Sequence, residues 1–250
     1  MYIDTHAHIF RANISSANVV RYVPNYDASC EQYLANLKEF NFSYGVLVQP
    51  SFLGFDNSYL LQALKEHSNL RGVVVIDPNN ISDLKEKNVC GLRLNLIGKD
   101  KPNFNDYKEA LEYIKEFNLH IELHKELDKL LFIIDDLAKY NVKIIVDHLA
   151  RPNKDTFKLL DEFNNYKNLD INFKVSGFYR LDEDLAFSKD VFDKLSDIFD
   201  IKRFVYGSDW PHTNYESKIN YQKALDDFLK VTNDKAKIIL QDNAKELFFI

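Results

Sequence analysis

Short apolar segments rich in β-branched residues recur along the whole chain, and each is followed by a longer stretch in which apolar residues return at helical spacing. The first kind of segment predicts strands, and the second predicts amphipathic helices. Eight strand segments lie at residues 2–10, 44–51, 70–77, 91–97, 120–126, 143–150, 171–180 and 203–210. Helical spacing occurs at residues 28–40, 59–66, 107–117, 127–140 and 187–199, and residues 215–250 are expected to form two further helices.

The regular alternation of strands and helices decides the fold class. A strand, a helix and a second strand in succession form a parallel βαβ unit. Eight strand segments fit a closed barrel better than an open doubly wound sheet, which usually has fewer strands. No linker rich in proline, glycine or serine divides the series. We therefore predict a single α/β domain over residues 1–250, folded as a (β/α)8 TIM barrel.

Composition and charge narrow the class of partner. The chain has 250 residues, a hydrophobic content of 46% and a formal net charge of −6. This charge argues against a general nucleic-acid-binding surface but is compatible with a local basic pocket. No apolar run approaches the roughly 20 residues that span a bilayer, and the first residues lack the basic leader of a signal peptide. We expect a cytoplasmic protein without a membrane or nucleic-acid partner.

Polar residues able to do chemistry cluster where the predicted strands end. In a parallel barrel the carboxyl ends of the strands meet at one face, and catalytic groups gather there. His6 and His8 lie two residues apart on the first strand, so both imidazoles point the same way. Five of the seven histidines lie at or just past strand ends: His6, His8, His124, His148 and His212. Together with Asp209 after the last strand, they predict a functional site at the barrel mouth.

These strand-end residues resemble those of a known enzyme superfamily. His6-x-His8, His124, His148 and the segment Gly-Ser-Asp-Trp-Pro at 207–211 are similar to motifs of the amidohydrolase superfamily, in its amidohydrolase-related branch. Segments that resemble the 2-pyrone-4,6-dicarboxylate lactonase group within that branch lie at residues 21–24, 26–28, 45–54, 56–61, 91–95 and 175–180. The resemblance implies a TIM barrel of the amidohydrolase type that hydrolyses a small carboxylate-bearing lactone or ester.

Side-chain chemistry and the resemblance together assign catalytic roles. Asp209 is the candidate general base that activates water. A carboxylate at that position could instead only cap the following turn. His6, His8 and His148 would either donate hydrogen bonds to the carbonyl oxygen or help to hold a divalent ion.

Two alternatives remain for the metal content of the site: one bound divalent ion, or none. If one divalent ion is bound, zinc or manganese suits a site of nitrogen and oxygen ligands. The expected ligands are then His6, His8, His124 and Asp209. Strand 4 ends in Arg93-Leu94-Asn95 and offers no lysine for carbamylation, which argues against a binuclear centre. Metal-free catalysis is the second alternative, because members of the lactonase group can work without metal. Those members carry an aromatic residue where His124 lies.

Basic residues near the strand ends are candidates for binding an acidic substrate. Burying the charge of Arg180 in a barrel mouth costs free energy unless the guanidinium is paired with an anion, which makes Arg180 a candidate carboxylate clamp. An internal salt bridge to Asp209 or Glu122 is the alternative. The full set of substrate-binding residues, which depends largely on the resemblance, is Arg93, Arg180, Arg21, Tyr22, Ser51, Lys99 and Asn214. Lys99 occupies a place where the lactonase group leads us to expect an arginine, and a lysine cannot grip a carboxylate through two parallel hydrogen bonds.

Three other functions compete with lactone hydrolysis. A metal-dependent decarboxylase or amidohydrolase acting on a small acidic substrate would use the same barrel with His124 as a ligand. A TatD-like phosphoesterase would need a strand-end glutamate for a second metal, and Glu122 lies deeper than that position. A non-catalytic ligand-binding barrel has no physical reason to keep four costly polar groups, His6, His8, His148 and Asp209, at one rim.

Overall fold

Eight parallel strands form one sheet in which every strand pairs with the next one along the chain. The computed structural model describes residues 1–15, 17, 22–181 and 184–249. The strands are β1 (Tyr2–Ala7), β2 (Phe42–Val48), β3 (Leu70–Val74), β4 (Val89–Asn95), β5 (His120–His124), β6 (Lys143–Val146), β7 (Ile171–Val175) and β8 (Phe204–Tyr206). All eight predicted strands are present, and the predicted (β/α)8 TIM barrel is confirmed.

Helices follow most of the strands and cover the outside of the sheet. They are α1 (Cys30–Glu39), α2 (Ser58–Glu66), α3 (Lys108–Glu116), α4 (Leu127–Ala138), α5 (Leu185–Ile198), α6 (Tyr221–Thr232), α7 (Ala236–Leu240) and α8 (Asp242–Phe248). The two helices expected over residues 215–250 are three, because the backbone leaves helical geometry at Gln241 (φ −124°, ψ −73°). Of the helices described here, none is long and apolar enough to cross a membrane.

Local sequence explains where α1 begins. The Ser29 hydroxyl accepts a hydrogen bond from the backbone N–H of Gln32 (3.3 Å). In return, the Gln32 side chain accepts from the backbone N–H of Ser29 (2.7 Å). This reciprocal capping box satisfies two N–H groups that a helix start otherwise leaves unpaired.

The seam between β1 and β8 closes the barrel and aligns the residues that follow each strand. The backbone N–H of Asp209 donates to the carbonyl of His6 (2.8 Å), and that of His8 donates to Trp210 (2.8 Å). Beneath them, the buried carboxylate of Asp4 accepts from the backbone N–H (2.8 Å) and the hydroxyl (2.7 Å) of Ser208. The seam therefore fixes the two histidines of β1 opposite Asp209.

The opposite end of the barrel is plugged by apolar side chains. α8 contributes Phe248, which packs with Ile3, Val73 and other buried residues of the barrel interior. The ring of His120, at the start of β5, meets Phe248 edge-on at 5.4 Å between centroids. Arg71 lies over the ring of Phe249 at 4.6 Å. His120 and Arg71 therefore lie at this end, away from the barrel mouth.

Candidate active site

His6, His8 and Asp209 meet at the barrel mouth, as their positions at strand ends predict. Nε2 of His6 and Nε2 of His8 are 3.3 Å apart. Oδ1 of Asp209 lies 3.7 Å from the first nitrogen and 3.6 Å from the second. The Nδ1 of His8 contacts the carbonyl oxygen of Val48 at 2.6 Å. Because a carbonyl only accepts, Nδ1 of His8 carries a hydrogen, and in the neutral ring Nε2 presents a lone pair to the cluster.

His148 reaches the cluster from an unusual turn after β6. His148 and the next three residues all have left-handed backbone angles, with φ values of 50°, 51°, 66° and 47°. Such angles cost energy for residues with a Cβ and occur mainly at functional sites. The turn brings the His148 ring to 5.1 Å from that of His6. Nδ1 of His148 lies 2.9 Å from the hydroxyl of Ser176, and burial lowers the pKa of His148 to about 4.

Asp209 is held by two donors on one of its oxygens. Its Oδ2 accepts from the hydroxyl of Tyr179 (2.5 Å) and from Nε of Arg180 (2.6 Å). Burial raises the pKa of Asp209, but the positive charge of Arg180 acts in the opposite direction, and the pKa lies well below its ordinary value. Arg180 therefore forms the internal salt bridge that was the alternative to a free carboxylate clamp. Oδ1 of Asp209 stays directed at the histidines.

A metal could be held by only part of the predicted ligand set. The ligand atoms of His6, His8 and Asp209 lie within 4.8 Å of one another, close enough for one ion. His124 does not join this group, since its Nε2 contacts Nη1 of Arg151 at 3.3 Å. Burial lowers the pKa of His124 well below the ordinary value, with His148 and Arg151 contributing in the same direction.

A cavity of about 190 Å³ opens between these groups. The predicted residues that line it are His8, Tyr22, Ser51, Arg93, His124, His148, Arg180, Asp209 and Asn214. His6 lies behind His8 rather than on the wall. Lys99 does not line the cavity, and its carbonyl, like that of Leu96, accepts from the buried ammonium of Lys125 (2.7 Å each). Arg21 lies outside the described residues.

Sequence reasoning missed five residues of the cavity wall. They are Pro50, Phe52, Asn95, Arg151 and Thr213. Arg151 directly follows the segment predicted as strand 6, so its position after His148 was a usable signal. The left-handed turn that points it into the mouth was not predicted.

The cavity is strongly basic. Arg93, Arg151 and Arg180 line it, whereas Asp209 is the only acidic residue among the described lining residues. Nη1 of Arg93 donates to the carbonyl of Gln49 (2.6 Å). Within the described chain, Arg151 has no carboxylate within ion-pair distance. Burial and the nearby Arg180 lower the pKa of Arg151, while Glu126 and Asp209 act in the opposite direction. Such a wall favours an anionic ligand.

A fully buried charged layer lies below the cluster, inside the barrel. Lys174 of β7 forms an ion pair with Glu122 of β5, and both side chains have no exposed surface. The Lys174 ammonium is also 3.1 Å from Nδ1 of His6 and 3.9 Å from Asp147. Because Glu122 is paired at this depth, it does not reach the mouth as the second-metal ligand of a TatD-like site.

Comparisons with known proteins agree with this geometry. The family model described as Amidohydrolase matches residues 3–250. A 4-sulfomuconolactone hydrolase from Rhizobium radiobacter is 29% identical over 231 residues, which cover 85% of this chain and 76% of that protein. A 2-pyrone-4,6-dicarboxylate hydrolase from Comamonas testosteroni is 26% identical over 282 residues, which cover 99% of this chain and 90% of that protein.

A solved structure extends the agreement to the whole fold. A probable 2-pyrone-4,6-dicarboxylic acid hydrolase from Acinetobacter baumannii, crystallised with citric acid bound, superposes with a TM-score of 0.93 at 32% identity. The superposition covers 100% of this chain and 99% of that one. The resemblance predicted from the strand-end motifs is confirmed, and the chain belongs to the amidohydrolase family.

Proposed function

We propose that this protein is a hydrolase that opens a small lactone, or cleaves a similar ester, bearing carboxylate or related acidic groups. The observation that carries the proposal is one ionised carboxylate, Asp209, in a cavity whose wall also carries three arginines and three histidines. The curated relatives support the same class, since their names specify a sulfonated lactone and a pyrone dicarboxylate. The expected partner is therefore a small anion, and the cytoplasmic location stays a prediction.

The His6, His8 and Asp209 atoms suit a single attacking water. The edges of their triangle measure 3.3, 3.6 and 3.7 Å. A water placed above it could donate one hydrogen to Nε2 of His8 and the other to Oδ1 of Asp209. His8 would then accept a hydrogen bond, whereas the sequence led us to expect a hydrogen-bond donor or a metal ligand. His8 and Asp209 together would orient the water for attack.

Hydrolysis then proceeds by general base catalysis. Asp209 takes a proton from the water at Oδ1 while the water oxygen forms a bond to the lactone carbonyl carbon. His148, neutral at pH 7, donates a hydrogen bond to the carbonyl oxygen as negative charge develops there. The ring C–O bond then breaks, and the departing ring oxygen receives the proton from Asp209. Arg180 lowers the basicity of Asp209 but keeps it ionised, and positioning of the water offsets the weaker base.

Arg151 and Arg93 would hold the acidic groups of the substrate. Arg151 is the stronger candidate, because its guanidinium contacts only the neutral ring of His124 among the bonds described here. Arg93 is already bonded to Gln49 and faces Asp147 at 3.6 Å. A planar guanidinium can bind a carboxylate or sulfonate through two parallel hydrogen bonds.

A divalent ion is the alternative way to activate the water. His6, His8 and Asp209 would hold it, and zinc or manganese is the expected ion for such ligands. A bound ion would supply a water of lowered pKa. His124 would become a further ligand only by leaving Arg151. In that form, metal-dependent decarboxylation or amide hydrolysis is the competing reaction, and removing the ion with a chelator would abolish it.

The test uses purified enzyme, a carboxylated lactone such as 2-pyrone-4,6-dicarboxylate, and a neutral lactone of the same ring. We expect hydrolysis of the carboxylated compound, and Asp209→Asn should lower kcat by about 100-fold or more, as expected for loss of a general base. A non-hydrolysed dicarboxylate should still bind the variant, which checks that the pocket is intact.

Two outcomes would reject the proposal. Folded enzyme that hydrolyses no acidic lactone but releases CO2 or cleaves an amide would support the decarboxylase or amidohydrolase alternative. Dicarboxylate binding with no turnover by either protein would support a non-catalytic barrel.

A further inference from the structure

Lys174 contacts the hidden side of His6, on the face opposite the cavity. Its ammonium lies 3.1 Å from Nδ1 of His6 and forms an ion pair with Glu122. All three side chains are completely buried. Lys174 is not among the site residues predicted from the sequence.

The contact fixes which nitrogen of His6 carries the hydrogen. An ammonium group donates hydrogen bonds and cannot accept one. Nδ1 of His6 must therefore be the acceptor, and in the neutral ring the hydrogen is on Nε2. The ring is then neutral, because a protonated imidazole has no lone pair with which to accept from the ammonium.

The remaining hydrogen bonds of the cluster agree with this assignment. Nε2–H of His6 points to Nε2 of His8 at 3.3 Å. That nitrogen is free to accept, because the hydrogen of His8 is on Nδ1, donated to the carbonyl of Val48 at 2.6 Å. A water entering between the rings would replace this direct contact, since its oxygen can accept from His6 while its hydrogens go to Nε2 of His8 and Oδ1 of Asp209. These groups do not match a metal ion, which needs lone pairs from every ligand.

Two carboxylates lie close to the same nitrogen without bonding to it. Oδ1 of Asp147 is 3.3 Å and Oε1 of Glu122 is 3.5 Å from Nδ1 of His6. Neither oxygen has a hydrogen-bond partner among the described residues. Metal-binding histidines usually donate their second N–H to a carboxylate or a carbonyl. Asp147 and Glu122 are therefore in place to accept a hydrogen bond from Nδ1 of His6, but Lys174 already donates one to that nitrogen.

We propose that Lys174 is a positioning residue that fixes His6 in the Nε2–H tautomer, so that the cluster binds water rather than a divalent ion. Removing the ammonium would let Nδ1 of His6 donate to Asp147 and would turn Nε2 into a metal ligand. The use of the His6 hydrogen in catalysis rests on the proposed function. The tautomer and the choice between water and metal do not.

Nuclear magnetic resonance of the wild-type chain with 15N-labelled histidine tests the tautomer directly. The ring couplings of His6, assigned by their loss in His6→Asn, should show the hydrogen on Nε2. In Lys174→Met/Glu122→Gln they should show it on Nδ1. The double variant removes both halves of the buried ion pair, so it leaves no uncompensated charge in the barrel. A wild-type His6 with its hydrogen on Nδ1 would overturn the proposal.

Zinc affinity of chelator-treated protein, measured by competition with a chromophoric chelator, tests the consequence. We expect Lys174→Met/Glu122→Gln to bind zinc about 10- to 100-fold more tightly than wild type, the range over which partners of a metal-binding histidine alter affinity. Glu122→Gln alone keeps the ammonium and should bind zinc like wild type. Lys125→Met removes another buried ammonium, one bonded to Leu96 and Lys99, and should not change zinc affinity either. Equal zinc affinity in wild type and the double variant would refute the inference.

Steady-state kinetics separate this inference from the proposed function. If the protein is a lactonase, the double variant assayed without metal should lose kcat with little change in KM, because the misplaced water affects the chemical step. If wild type hydrolyses no lactone, the proposed function fails, whereas the tautomer and zinc measurements still decide the role of Lys174.

Discussion

Gly177 lies where the turn after β7 meets the ring of His148, the proposed hydrogen-bond donor to the substrate carbonyl. Its φ is +59°, in the left-handed region. A Cβ at this position would lie 2.6 Å from Nδ1, 3.0 Å from Cγ and 3.2 Å from Cε1 of His148. The ring cannot retreat easily, because Nδ1 is bonded to Ser176 and the backbone of His148 is itself left-handed. Gly177→Ala should therefore affect both stability and catalysis.

Two separate effects should each lower the unfolding free energy of Gly177→Ala. A left-handed residue with a Cβ costs roughly 1–2 kcal/mol. Forcing an extra methyl group into a packed site costs about 1–3 kcal/mol more. Gly98 provides the matched control, since its φ is +69° and a Cβ there meets nothing within 4 Å. Gly98→Ala should show the first cost alone, so the difference between the variants measures the clash with His148.

Urea unfolding and steady-state kinetics check this prediction. Gly177→Ala should lose about 2–5 kcal/mol of unfolding free energy, and its kcat should fall about 100-fold, because a displacement of about 1 Å in a catalytic group has an effect of that size. Gly98→Ala should lose about 1–2 kcal/mol without a comparable fall in kcat. If both variants lose equal stability and Gly177→Ala keeps wild-type kcat, the His148 ring is not held rigidly and the reasoning fails.

Two further predictions concern the charges of the site. Tyr179→Phe removes one donor from Oδ2 of Asp209, so the pKa of Asp209 should rise and the acid limb of the kcat/KM profile should move to higher pH. The stability that ionised Asp209 contributes is present above its unfolded pKa and is lost as pH falls through the folded pKa. Urea unfolding from acidic to neutral pH should show this loss beginning at higher pH in the variant than in wild type. Superimposable profiles of the two proteins would contradict the prediction. Arg151→Met should raise KM for a carboxylated lactone by about 10- to 100-fold, the effect of a hydrogen bond to a charged group, and should leave KM for a neutral lactone unchanged. Arg71→Met, at the far end of the barrel over Phe249, is its control, and an equal rise in KM for both lactones would rule out a carboxylate contact.

The sequence by itself determined the architecture and the main catalytic candidates. The spacing of apolar residues along a strand or helix is a local property, so all eight strands could be read from it. The shared direction of His6 and His8 follows from the alternation of side chains on a strand. Their meeting with Asp209 follows from the common face at which parallel strands end. The helices after residue 215 were miscounted, because the break at Gln241 has no strong sequence signal.

Tertiary structure decided which charges pair. Arg180 bonds to Asp209 rather than standing free, and Arg151 enters the cavity through a left-handed turn. Lys99, predicted in the pocket, is absent from its wall. Lys174 reaches His6 across the barrel from 168 residues away. These pairings depend on distances between side chains on different strands, which are set only when the barrel closes, whereas sequence patterns report the periodicity of one segment at a time.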